Sequence, residues 1–165
     1  MSAPEQCILG LDPGLSGAIA FYSPVHPELI VAEDMPVAGG EVDAATLARR
    51  IAQMAPTIAV IERVGAMPKQ GVASTFKFGV AFGMARAVVS ALGIPTHLVA
   101  PSRWKKHFRL NADKEMARAR ALQLWPASQH FSRKKDHNRA EAALLARYGA
   151  ETLSSPTVDR RKAPE

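Results

Sequence analysis

Two apolar runs, Cys7-Ile8-Leu9-Gly10-Leu11 and Ile58-Ala59-Val60-Ile61, each end in an acid, Asp12 and Glu62 respectively. Short continuous apolar runs bounded by turn signals are the pattern of strands buried on both faces. A chain built on such strands needs helices above and below its sheet. The acids at their ends are costly to bury unpaired. Two more, Asp136 and Glu141, lie at the start of the helical stretch Asn138–Ala146. Gathered together, these carboxylates repel one another unless a divalent cation sits between them. The pattern therefore points to phosphodiester chemistry assisted by two metal ions.

The intervening sequence fills in a mixed sheet. Asp12-Pro13-Gly14-Leu15-Ser16-Gly17 separates residues 7–12 from the apolar residues 17–22, as a hairpin turn would. Leu29–Ala32 predicts a third strand, ended by Gly39-Gly40. Asp43 is placed to cap a helix carrying Leu47, Ile51 and Met54, which Pro56 stops. Residues 65–75 read as an exposed loop, and Phe76–Leu92 as a buried helix closed by Gly93. After a strand at Thr96–Ala100, Ser102 is a candidate cap for a short helix. A further helix spans about Asp113–Leu124, and a last one Asn138–Tyr148, ending at Gly149. Hairpins first and crossover helices later describe an α/β fold, a ribonuclease-H-like mixed five-stranded sheet with helices on both faces. Residues 1–150 are expected to form one domain and 151–165 a fraying tail.

With 47% hydrophobic and 22% charged residues, the 165-residue chain is globular in composition. Its net charge of +6 favours a polyanionic partner, and the placement of charge says more. Arg103, Lys105, Lys106, Arg109, Lys114, Arg118, Arg120, Arg133, Lys134 and Lys135 are opposed in that stretch only by Asp113 and Glu115. A phosphate-contacting face is favoured over a merely solvated one because candidate metal-binding acids accompany it. The lone Cys7 excludes an intramolecular disulfide and reads as a core residue. No apolar stretch of transmembrane length and no signal-peptide pattern is apparent, so a cytoplasmic protein without membrane partners is expected.

Four segments then resemble one family. Ile8-Leu9-Gly10-Leu11-Asp12-Pro13-Gly14, Ala59-Val60-Ile61-Glu62, the stretch from Phe78-Gly79-Val80 to Pro95, and Lys134–Ala142 resemble, in order and spacing, the motifs of the RuvC Holliday-junction resolvases. The last segment and Met67–Val72 resemble the phage and prophage branch. The resemblance covers about residues 7–148. It implies a homodimeric, metal-dependent endonuclease acting on four-way DNA junctions, with two Mg²⁺ per site and Mn²⁺ able to substitute. On this resemblance Asp12 bridges the two ions, Glu62 binds one and helps position the attacking water, and Glu141 is the last helical carboxylate. Asn138 stands where the family has an acid or a histidine. Of the two substitutes, Asp136 and His137, Asp136 is preferred because a carboxylate suits hard Mg²⁺ better than imidazole. Lys105 and Lys114 match basic positions that neutralise phosphate charge, and Lys69, Arg103, Lys106, Lys134 and Lys135 are further candidate DNA contacts. Gly65 stands where some members carry a wedging aromatic.

Other readings compete. The Gly10–Gly17 segment also looks like the phosphate hairpin of sugar kinases and actin-like ATPases, but those need a second domain that 165 residues cannot supply. A non-catalytic junction-binding protein on the same fold, and a broader flap or branched-DNA nuclease, remain as alternatives. Trp104, Trp125, Phe108 and Phe131 are assigned to core packing before base stacking.

Overall fold

A computed structural model of the chain describes residues 5–153. The sequence order is β1 (Ile8–Asp12), β2 (Ala18–Tyr22), β3 (Val31–Asp34), the small strands β4 (Val37–Ala38) and β5 (Glu41–Val42), α1 (Ala44–Met54), β6 (Ile58–Glu62), α2 (Val72–Ala91), β7 (Thr96–Val99), α3 (Pro101–His107), α4 (Lys114–Leu124), a 3₁₀ turn at Lys134–Asp136, and α5 (His137–Thr152). The main sheet has five strands in the order β3-β2-β1-β6-β7. The β1–β2 and β2–β3 pairs are antiparallel, and β6 and β7 run parallel to β1. This is the mixed α/β sheet expected from the order of apolar runs.

Alternation along the strands creates two cores. Leu9 and Leu11 face Leu47 and Ile51 of α1 and Ala85 and Val89 of α2. Ile8 and Ala20 face the opposite layer, with Trp104, Trp125, Leu144 and Leu145. Helix α5 is seated directly on β1 because Gly10 has no side chain. A Cβ there would come 2.6 Å from the Ala146 nitrogen and closer still to the Ala142 carbonyl oxygen. The same docking explains Gly149. It does not end the last helix, as the sequence suggests, but lies inside it, where a Cβ would meet Val60 Cγ2 at 2.5 Å. A close-packing demand outweighs the low helix propensity of glycine. Glu151 and Thr152 accordingly belong to α5 and not to a tail, while 154–165 lie outside the described residues.

Other local expectations are corrected. The third strand starts at Val31, two residues later than the apolar run. Gly39 and Gly40, at φ 60° and 77°, turn the β4–β5 hairpin instead of closing the third strand. Asp43 does cap α1, accepting from the Thr46 amide at 3.1 Å. Ser102 is not a cap: Ala100 holds that place and Pro101 opens α3. Cys7 precedes β1 and is half-buried.

The largest difference concerns α2. Its 20 residues are long and apolar enough to cross a membrane, contrary to the sequence expectation that no stretch reaches that length. It is also not a buried helix. Only Ala81, Ala85, Val88 and Val89 are buried, through one face that packs towards the sheet and α1, while Val72 is 89% and Phe76 75% exposed.

Candidate active site

Parallel pairing of β1 and β6 in the register Leu11↔Ile61 places Asp12 and Glu62 side by side at one end of the sheet. Helix α5 crosses that end and contributes Glu141, which is buried at 6% exposure. These three carboxylates line one cavity of about 450 Å³, together with Asn138, Lys77, Lys105 and Lys114. The floor is the Pro13–Gly17 turn, held closed by the Gly17 amide donating to the Gly14 carbonyl at 3.0 Å. Asn138 donates through Nδ2 to the Ser16 carbonyl, which ties α5 to this turn.

The acids act on one another electrostatically. Burial pushes the Asp12 carboxyl well above the usual range, and the charges of Glu62 and Glu141 push it further, against the pull of Lys114 and Lys105. Glu62 is raised mainly by burial. Its hydrogen bond from Trp104 Nε1, at 2.8 Å, counters part of that effect, and Glu141 adds to it. Lys105 Nζ stands 3.9 Å from Glu141 Oε1. A pair of desolvated carboxylates with raised pKa values, Asp12 and Glu62, beside lysines in a cavity is a recurrent arrangement at functional sites.

The donor set is all oxygen, which suits a hard cation such as Mg²⁺. Among the described residues no three His, Cys, Asp or Glu groups are drawn together tightly enough to hold an ion unaided. Mg²⁺ is commonly held by only one or two carboxylates, with retained water and substrate phosphate oxygens supplying the rest. By donor chemistry and mutual repulsion, Asp12, Glu62 and Glu141 fit such an ion.

Asp136 is not brought to this cavity. It is 1% exposed and occupied elsewhere, accepting from the Arg133 amide at 2.8 Å and from the Arg133 guanidinium at 2.8 Å, with Arg139 Nη1 3.9 Å away. Burial alone would raise its pKa, but the bonds from Arg133 bring it below the usual range. The helix does start after Asp136, yet the preceding 3₁₀ turn rotates its side chain onto Arg133. Asn138 lines the cavity in its place. His137 faces a separate cleft with Asp113, Lys114, Glu115, Lys134 and Lys135.

The basic candidates divide in two. Lys105 and Lys114 reach the carboxylate cavity, and Lys114 borders both clefts. Lys69, Arg103 and Lys106 are exposed outside these two clefts. Sequence reasoning missed Lys77 and Trp104. Lys77 had a readable signal, as the one charged residue between Thr75 and Met84. Trp104 had none beyond its place next to Lys105.

No protein-family model and no curated protein matches this sequence. Solved structures do. The chain is similar to RuvC of T. thermophilus in complex with a Holliday junction substrate, at 15% identity and a TM-score of 0.67, over 88% of this chain and 94% of that one. A second T. thermophilus RuvC structure matches at 15% identity and a TM-score of 0.61, over 88% and 96%. The fowlpox virus Holliday junction resolvase matches at 14% identity and a TM-score of 0.58, over 90% and 99%. The chain therefore has the RuvC-like, ribonuclease-H-like fold over nearly all its described length.

Proposed function

We propose that this chain is a divalent-metal-dependent endonuclease that cuts branched DNA, with the four-way junction as its substrate. One observation carries the proposal: Asp12 of β1, Glu62 of β6 and Glu141 of α5 converge on a single lysine-lined cavity, on a fold shared with proteins that bind or resolve Holliday junctions.

Asp12, Glu62 and Glu141 would hold Mg²⁺, or Mn²⁺ in its place. The metal supplies an acidified water and charge neutralisation at the scissile phosphate. The protein's own residues do the rest. Asp12 and Glu62, on adjacent strands, present their carboxylates from rigid backbone. Lys105, Lys114 and Lys77 line the same cavity and offset the charge of a phosphodiester as it approaches. The Pro13–Gly17 turn, latched by Asn138, keeps the floor beside Asp12 fixed. The cleft holding Lys134 and Lys135 continues the positive surface from Lys114 and suits the flanking strand.

Two nicks placed symmetrically on a junction require two sites, and a C₂ homodimer supplies them. The exposed apolar side of α2, with Val72 and Phe76, is the surface we assign to that pairing.

Cleavage of an end-labelled synthetic junction in Mg²⁺ and in EDTA tests the proposal. Paired metal-dependent nicks, absent from linear duplex and lost in Asp12→Asn, are expected. Single cuts on flaps would redirect the assignment to a broader branched-DNA nuclease. Retarded but uncut junction in Mg²⁺ and Mn²⁺ alike would refute cleavage and leave a binding protein. The amide at Asn138, in place of a fourth carboxylate in the cavity, favours that second reading.

A further inference from the structure

Trp104 is the one fully buried aromatic side chain among the described residues whose polar atom is given to a cavity carboxylate. The chain path explains how it gets there. Val99 is the register partner of Glu62 across the β6–β7 pair, and the Arg63 amide donates to the Val99 carbonyl at 2.8 Å. Ala100 and Pro101 then start α3 at once, and its first turn brings Trp104 to Glu62 at the end of β6. There the Trp104 indole, with 0% exposure, donates from Nε1 to Glu62 Oε2 at 2.8 Å. The next residue, Lys105, stands 3.9 Å from Glu141 and 5.4 Å from the centre of the Trp104 ring.

An indole N–H can only donate. It therefore occupies a lone pair on one named oxygen of Glu62, and a rigid ring packed on all sides cannot follow if that carboxylate turns. We propose that Trp104 is a positioning residue: it fixes the rotation of the Glu62 carboxylate so that Oε1 is left for the cation and water of the proposed reaction. It acts through Glu62 and touches neither substrate nor metal. Groups that orient a metal-binding side chain in this way typically change metal affinity or activity by about 10–100-fold when removed. The inference rests on the proposed function, because it assigns Glu62 a cation to meet.

Trp125 provides an internal control. It too is fully buried, and its Nε1 donates at 3.1 Å to the Pro27 carbonyl, away from the cavity. Replacing either tryptophan by Phe removes one indole N–H and leaves a similar void. A loss of packing alone would affect both variants alike.

The test compares Trp104→Phe with Trp125→Phe in junction cleavage over a Mg²⁺ titration. It adds the ¹H–¹⁵N indole resonances of the wild-type protein titrated with Mg²⁺, without DNA. Trp104→Phe is expected to lower kcat or raise the half-saturating Mg²⁺ concentration by about 10–100-fold, with KM for junction within about twofold, while folded Trp125→Phe keeps wild-type values. The Trp104 indole resonance, identified by its loss in Trp104→Phe, should move on adding Mg²⁺ and that of Trp125 should not. Equal losses in both variants, a Trp104→Phe enzyme with unchanged kcat and Mg²⁺ dependence, or an indole resonance indifferent to Mg²⁺ would each overturn the assignment. Failure of the wild-type protein to cut any junction would refute the nuclease proposal separately. The resonance titration would still decide whether Trp104 senses a cation at Glu62.

Discussion

Gly10→Ala is the substitution whose effect follows most directly from the geometry. The added methyl would sit 2.6 Å from the Ala146 nitrogen, nearer still to the Ala142 carbonyl oxygen, and 3.0 Å from the Ala146 Cβ. The two nearest atoms are backbone of α5, so no rotamer change relieves them. The helix must retreat by about 1 Å to bring contacts to tolerable distances. Overpacking of this kind costs about 1–3 kcal/mol, and the backbone identity of the obstacles places this case near the upper end. For a domain of this size that corresponds to a Tm lower by about 6–12 °C. Gly149→Ala makes a useful comparison. Its obstacle is the Val60 Cγ2 side-chain methyl at 2.5 Å, and about 1 kcal/mol of helix propensity is gained in return, so a smaller loss is expected. Because Glu141 adjoins Ala142, the retreat of α5 also shifts a cavity carboxylate, and cleavage should fall further than the folded fraction does. Calorimetry of both variants, with junction cleavage measured well below the lower Tm, checks the argument. A Gly10→Ala protein that melts within 2 °C of wild type would refute the seating of α5 on β1 (about the shift produced by half a kcal/mol).

Three further outcomes follow from the site. Asp12→Asn should abolish cleavage yet raise the Tm measured in EDTA, because it removes a buried charge repelled by Glu62 and Glu141; a lower Tm would contradict that balance. The pH dependence of the metal-free protein has a defined sign. Raised folded-state values at Asp12 and Glu62 mean that the folded state holds those protons more tightly, so stability falls as pH rises from about 4 through the folded values. Asp34 is lowered, chiefly by its hydrogen bonds from Arg139, and loses its contribution only as pH falls below about 4. Melting in chelator should therefore show greater stability at about pH 5 than at about pH 8, and a monotonic rise towards pH 8 would count against the coupled acids. Asp136→Asn should cost about 2–3 kcal/mol through its lost charge-assisted bonds with Arg133, while the Mg²⁺ concentration at half-maximal cleavage stays within about twofold. A tenfold change in that concentration would return Asp136 to the metal site.

What the sequence determined by itself was the local pattern. The apolar runs at residues 7–11 and 58–61 specify buried strands, and an acid that ends such a run lies at a sheet end in any fold that buries it. Asp12, Glu62 and the mixed α/β sheet were legible for that reason, as was the Asp43 cap, which depends on neighbours three residues away. Choices that depend on direction in space were left to the tertiary structure. Asp136 and Asn138 are two residues apart, but the 3₁₀ turn sends the first to Arg133, while the first turn of α5 sends the second to the cavity. The apolar residues of α2 are spread around most of the helix, so no periodicity could say which face the sheet covers and which it leaves open. Gly149 read as a stop signal because its obstacle, Val60, is remote in the chain. Trp104 read as core, and it is core. Its bond to Glu62 spans 42 residues and exists only because the tertiary fold brings the first turn of α3 to the end of β6. Periodicity is a property of neighbours along the chain, whereas the aim of a side chain is set by the elements packed around it.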